Sequence, residues 1–252
     1  MQSCCATGFK WEGTPTGRED TIDNHPVYIS GDSKDRAILF NHDAFGWQLN
    51  NARLLADHFA KEVGATVYLP DFFHGNAFGE NDVVSVPDGD SFKMQPREGF
   101  DMGKWFAENG MDIRLPEVIG VAKALRKQYS WVGAVGYCWG GAINFKLASK
   151  DHGGLVDCVC IAHPGGTTED EVRKIAVPIQ ILAPEHDPTF QPQMRDFCNT
   201  EIPKLNVDYN FQYFPGMVHG FATRCDPSKE AEKRALELAK NAFVYWLSTH
   251  AK

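Results

Sequence analysis

The chain has 252 residues, 43% of them apolar, which is enough to bury a sizeable core in one large domain. A formal net charge of −8 argues against nucleic acid or an anionic membrane surface as partner, and no apolar run reaches the length of a membrane-spanning helix. Seven cysteines without a disulfide-like spacing, and an N-terminus with no basic stretch before an apolar core, point to a reduced, cytoplasmic protein.

Residues 1–25 are polar and turn-rich and read as an irregular lead-in. Val27-Tyr28-Ile29 has the character of an edge strand and Ala37-Ile38-Leu39-Phe40 that of a buried one. The loop Asn41–Trp47 follows at the carboxyl end of the second. Ala52, Leu55, Ala56, Phe59, Ala60 and Val63 then recur at the spacing of an amphipathic helix. Thr66-Val67-Tyr68-Leu69 is a further strand, stopped by Pro70. Regularity weakens from Phe73 to about Ile113, where Gly, Asp, Asn and Pro mix with aromatics; residues 74–112 read as a lid or substrate wall.

Pro116 is expected to open a helix with Val118, Val121, Ala122 and Leu125 on one face. Trp131–Tyr137 is a strand, and a helix-like segment runs from the glycines after it to about Leu147. Leu155–Ala162, Ile179–Ala183 and Tyr209–Phe214 are the remaining strands. A closing helix carries Ala231, Ala235, Leu238, Ala239, Ala242 and Trp246 as its apolar face. Strands alternating with helices predict one α/β domain over residues 1–252, with a mainly parallel sheet covered on both faces.

The chemistry centres on Gly136-Tyr137-Cys138-Trp139-Gly140. G-x-C-x-G between a strand and a helix is a nucleophile elbow with cysteine in the nucleophile position. The tight turn requires small residues two places on either side, and the helix N-terminus favours thiolate over thiol. Taken alone, a free cysteine beside a glycine turn is as readily a buried structural residue. A nucleophile needs a base and the base an orienting acid, in the chain order nucleophile, acid, histidine. Asp187, after the strand ending at Ala183, and His219, after the last strand, satisfy that order. The N–H groups of Trp139 and of Ala44 are the expected oxyanion donors, which places Asp43 beside the thiol. No H-E-x-x-H or C-x-x-C pattern occurs, so no metal is expected; Cys158 and Cys160 read as core, and the terminal pair Cys4-Cys5 as inert.

Five motifs together carry a family resemblance: Gly136-Tyr137-Cys138-Trp139-Gly140-Gly141, Asp43-Ala44-Phe45-Gly46-Trp47, Pro70-Asp71-Phe72-Phe73, His186-Asp187 and His219-Gly220-Phe221. From about residue 26 to 247 the chain resembles the dienelactone hydrolases, in particular their eukaryotic carboxymethylenebutenolidase-like members. The resemblance implies an α/β-hydrolase fold of about eight strands, a Cys138-His219-Asp187 triad, and cofactor-free hydrolysis of lactones or esters; a small-molecule ester or lactone is the expected partner, and the chain is expected as a monomer or homodimer. Phe45 and Tyr137, with Asp43, are the implied substrate- or thiol-contacting neighbours. Two departures stand out. Bacterial members carry Glu where Asp43 stands, and an arginine four residues after the histidine, where this chain has Thr223 followed by Arg224. A second arginine comes in the family from the lid, and Arg97 and Arg114 are the candidates here. An acyl transferase or thioesterase-like enzyme on the same triad, and a ligand-binding protein without catalysis, are the competing readings.

Overall fold

The computed structural model describes residues 11–79, 82–88 and 91–251. Cys4 and Cys5 lie outside them. The first half of the chain forms β1 (Arg18–Ile22), β2 (His25–Ser30), β3 (Arg36–Asn41), α1 (Asn50–Val63) and β4 (Thr66–Pro70). It continues with β5 (Val83–Asp88), β6 (Ser91–Pro96), α2 (Met102–Asn109) and α3 (Met111–Gln128). The second half runs β7 (Trp131–Tyr137), α4 (Trp139–Leu147), β8 (Cys158–Ala162), α5 (Glu169–Arg173) and β9 (Ile179–His186). It ends with α6 (Pro192–Glu201), β10 (Tyr209–Val218), α7 (Phe221–Arg224) and α8 (Glu230–His250).

Eight strands make the central sheet, in the order β1-β2-β4-β3-β7-β8-β9-β10. From β4 to β10 every neighbouring pair is parallel, while β2 is antiparallel to β4 and β1 to β2. The apolar β3 and β7 lie mid-sheet and are buried on both faces, as a parallel sheet demands. Leu39, Val132, Ala134, Val159 and Ile181 pack with Val118, Val121, Ala122 and Leu125 of α3 on one face. Ile38, Phe40, Val135, Tyr137, Cys158 and Cys160 pack with α1 and α8 on the other. Burial pushes the thiols of Cys158 and Cys160 up, which suits inert core residues.

Four local expectations are corrected. The lead-in contains a strand: β1 pairs with β2 through Asp23-Asn24, both at positive φ (47° and 66°), a two-residue turn whose twist suits a hairpin. β1 therefore takes the sheet edge expected of Val27–Ile29. Within 74–112 the chain forms the β5–β6 hairpin and α2, whose ends the polar composition hides. Pro116 lies inside α3, which starts at Met111 with Gly110 as its cap. In α8 the buried stripe is Ala235, Ala239, Phe243, Trp246 and Leu247, and Leu238 faces outward.

Candidate active site

Parallel strands deliver their carboxyl ends to one edge of the sheet, and the loops leaving β3, β7, β8, β9 and β10 meet there. Cys138 is the single residue between β7 and α4, at φ 52° and ψ −113°. Such a conformation costs a side-chain-bearing residue on the order of 1–3 kcal/mol, so the surroundings must impose it. They do: a Cβ on Gly136 would collide with the Gly140 carbonyl, and one on Gly140 with the Asn41 carbonyl. Cys138 is further fixed through both peptide groups, its N–H donating to Ala162 O at 3.2 Å and its carbonyl accepting from Gly165 N–H at 2.7 Å.

β9 ends at His186, directly before Asp187, and β10 ends at Val218, directly before His219. The backbone N–H of His219 donates to His186 O at 3.1 Å, holding the two loop starts together. His219 Nδ1 lies 3.0 and 2.9 Å from the two Asp187 carboxylate oxygens. That occupies Nδ1 and leaves Nε2 for the hydrogen bond to the Cys138 sulfur. Burial opposes charge on the imidazole, yet the Asp187 carboxylate and the Cys138 sulfur outweigh it and push its pKa up to about 10. Burial likewise opposes charge on Asp187, and its contacts with His219 and Thr189 hold it below the usual carboxylate range.

Ala44 and Trp139 line a cavity of about 100 Å³ together with Cys138 and His219. The backbone N–H groups of Ala44 and Trp139 donate to no protein group among the described residues. Phe45, Phe78, Trp105, Phe106 and Met111 supply the apolar wall. Asp43 takes a different partner from the thiol: its Oδ2 pairs with Arg224 Nη1 and accepts from the Thr223 hydroxyl at 3.2 Å. Its Oδ1 accepts from the Phe45 N–H at 2.9 Å. Arg224 lines the cavity with its guanidinium carbon 4.6 Å from the Phe45 ring centre.

A model of the dienelactone hydrolase family matches residues 26–251. The chain belongs to the dienelactone hydrolase family. It is therefore a hydrolase of the carboxylic ester class, on a family whose members act on small molecules. The hydrolase pyvD of Aspergillus violaceofuscus is 32% identical, with 99% of this chain and 96% of that protein covered. The carboxymethylenebutenolidase homolog of Mus musculus is 28% identical over 98% of this chain and 96% of its own length. A putative dienelactone hydrolase from Klebsiella pneumoniae superposes with a TM-score of 0.70 at 15% identity, covering 92% of this chain and 98% of that one. At that identity the likeness is one of fold, the α/β-hydrolase fold. No helix among the described residues is long and apolar enough to cross a membrane.

The motif residues divide. Cys138, His219, Asp187, Ala44, Trp139, Phe45 and Arg224 converge. Tyr137 does not: as the last residue of β7 it points to the α8 face, stacked on Phe40 at 5.2 Å between ring centres and fully buried. Arg97 is exposed beyond β6, outside the cavity wall, with its N–H on Asp82 O. Arg114 is committed to Asn109 and Glu117.

Three residues that the sequence reading passed over help to build this candidate site. Thr189 places its hydroxyl 2.7 Å from Asp187 Oδ1 and 3.2 Å from His219 Nδ1; the Asp-Pro-Thr turn was the available signal. His42 is kept neutral by burial and stacks on the Trp139 indole at 5.8 Å. Its carbonyl accepts from Gly140 N–H at 3.1 Å, tying the loop after β3 to the elbow. His163, at φ 37° after β8, sets its ring 5.0 Å from that of His219, and burial holds it uncharged.

Proposed function

We propose that this protein is a cysteine-dependent hydrolase of small activated esters or lactones, working through a thioester on Cys138. The observation that carries the reading is the hydrogen-bonded series Asp187–His219–Cys138 beside an apolar cavity that Ala44 and Trp139 also line.

Cys138 passes its proton to His219 Nε2 and attacks the substrate carbonyl carbon as thiolate. The carbonyl oxygen gains the negative charge and is held by the N–H groups of Ala44 and Trp139, which are rigid and need no reorganisation. The tetrahedral species collapses by breaking the C–O bond to the leaving group, which takes the proton from His219 Nε2. Water then enters, gives a proton to the now neutral His219 and attacks the thioester. Collapse of this second tetrahedral species returns thiolate to Cys138 and releases the carboxylic acid. Asp187 holds the imidazole in the tautomer that keeps Nε2 toward the sulfur.

Thiolate leaves a tetrahedral carbon more readily than an alkoxide does. Simple alkyl esters therefore revert, whereas enolates and phenolates depart forward, so enol lactones and aryl esters are the expected substrates. The cavity of about 100 Å³ and its aromatic wall select a small, largely apolar acyl portion. Phe78, Trp105, Phe106 and Met111 of the 74–112 segment line that wall.

Incubation with an activated aryl ester, an early acid quench and peptide mass mapping test the reading. The expected result is an acyl group on Cys138 in the parent protein, none in His219→Ala at neutral pH, and loss of turnover in Cys138→Ala. Turnover by Cys138→Ala close to that of the parent would end the proposal.

A further inference from the structure

Away from the pocket, three side chains from distant parts of the chain converge. His25 opens β2, His74 lies in the loop after β4, and Glu117 is on α3. Glu117 Oε2 is 3.1 Å from His25 Nε2 and 2.9 Å from His74 Nε2, and the three atoms lie within 4.8 Å of one another. Each is held from behind. Asp23 O sits 2.8 Å from His25 Nδ1, which puts the ring proton there and turns the Nε2 lone pair toward Glu117. Arg114 Nη1 holds the other Glu117 oxygen at 2.9 Å and so fixes the carboxylate's rotation. The His74 loop is pinned by Asp71, which accepts from Phe73 N–H at 3.0 Å and Gly75 N–H at 2.7 Å. The hairpin turn at Asp23 can approach α3 because a Cβ at Gly120 would collide with the Asp23 carboxylate.

With its ring proton donated to Asp23 O, a neutral His25 aims an Nε2 lone pair at the Glu117 carboxylate oxygen, and a cation among the three atoms removes that repulsion. We propose that His25, His74 and Glu117 bind a divalent first-row transition cation of the zinc type, with water as the fourth ligand. Two imidazoles and one carboxylate form the donor set of such borderline cations, while magnesium and calcium prefer oxygen alone. Tetrahedral bonds of about 2.0–2.2 Å put ligand atoms roughly 3.3–3.5 Å apart, within reach of small rotations of the half-exposed His74. Ligands at 25, 74 and 117 have no motif spacing, which is why the sequence gives no sign of them.

Occupancy would clamp β2, the loop after β4 and α3 to one another. That loop continues to Phe73 and Phe78, whose rings pack on Trp105 at 4.9 and 4.4 Å. Phe78 and Trp105 line the cavity, so the cation would stiffen one wall of the pocket from outside it.

Calorimetric titration with zinc tests this, using Cys138→Ala protein so that the pocket thiol does not compete. One saturable site in the micromolar range or tighter is expected, weakened about 100-fold in His74→Asn and in Glu117→Gln. Asparagine suits the left-handed backbone of His74 (φ 53°), so the first variant keeps its fold. Cobalt in place of zinc should give visible bands without a thiolate-to-metal charge-transfer band. No saturable heat at millimolar zinc, an affinity unchanged in either variant, or a thiolate band would each overturn the proposal.

Discussion

Two buried carboxylate–cation pairs reach the same pocket, and the difference between them lies in what each cation has left to offer. Asp187 and His219 are each 6% exposed, Asp43 and Arg224 each 3%. In the first pair the Asp187 oxygens crowd around Nδ1 of the imidazole, so that Nε2 remains directed at the Cys138 sulfur. That cation gains and loses a proton. In the second, Asp43 gathers Arg224, Thr223 and the Phe45 N–H around itself, and the guanidinium keeps its charge at every accessible pH. The pair ties α7 to the loop that carries the Ala44 N–H. Burial and charge alone thus fail to separate a proton-handling pair from a positioning pair; the nitrogen left over, and what it faces, does.

Breaking the first pair should appear in rate. Asp187→Asn leaves the His219 tautomer and orientation unfixed, and kcat for an aryl ester should fall by about 10⁴-fold in steady-state assays. Activity within a few-fold of the parent would make Asp187 another positioning carboxylate and erase the contrast.

Breaking the second pair should appear in stability. Arg224→Met strands the buried Asp43 carboxylate, and urea unfolding should show a loss of about 3–5 kcal/mol. Adding Asp43→Asn to that variant removes the stranded charge while keeping an acceptor for Phe45 N–H, so the double variant should lose less than Arg224→Met alone. A double variant worse than the single would contradict the positioning role.

The smallest effect is in the pH dependence. His219 is pushed up to about 10 in the folded protein, against roughly 6.5 when unfolded. Its stabilisation is complete below pH 6.5 and is lost as pH rises toward 10. Between those limits the stability advantage of the parent over His219→Gln should shrink by at most about 1.4 kcal/mol per pH unit. Asp187, held low, contributes in the opposite direction, its stabilisation fading as pH falls through the acid range. Arg224 adds no slope in either window. A difference between parent and His219→Gln that stays flat from neutral to alkaline pH would show that the imidazole does not retain its proton.

The parallel strands and the elbow were legible because local pattern decides them. Apolar runs at β3, β7 and β8 fit only a two-sided sheet, and glycines at 136 and 140 are demanded by backbone contact two residues from Cys138. The order of Asp187 and His219 at strand ends could be read for the same reason. What escaped depends on encounters between distant segments. Asp43 finds Arg224 across 181 residues, a partner that no local pattern announces. Tyr137 adjoins Cys138 in the chain, but strand alternation sends its ring to the opposite face. β1 is polar on one side and exposed, with too little apolar alternation to announce a strand. Pro116 is an initiation signal that α3 overrides, because the helix already starts at Met111, capped by Gly110.

The strained conformation at Cys138 has an evolutionary corollary. Surrounding backbone, not the sulfur, dictates where this residue stands: glycines 136 and 140 and the hydrogen bonds from Gly165 N–H and to Ala162 O would hold any small side chain there. The proposed attacking atom is thus exchangeable by a single substitution, whereas moving it along the chain would require rebuilding the strands and helix that frame the turn. Descendants of such a scaffold are free to change which bond they break by altering that atom and the aromatic wall. They inherit the address of the reaction unaltered.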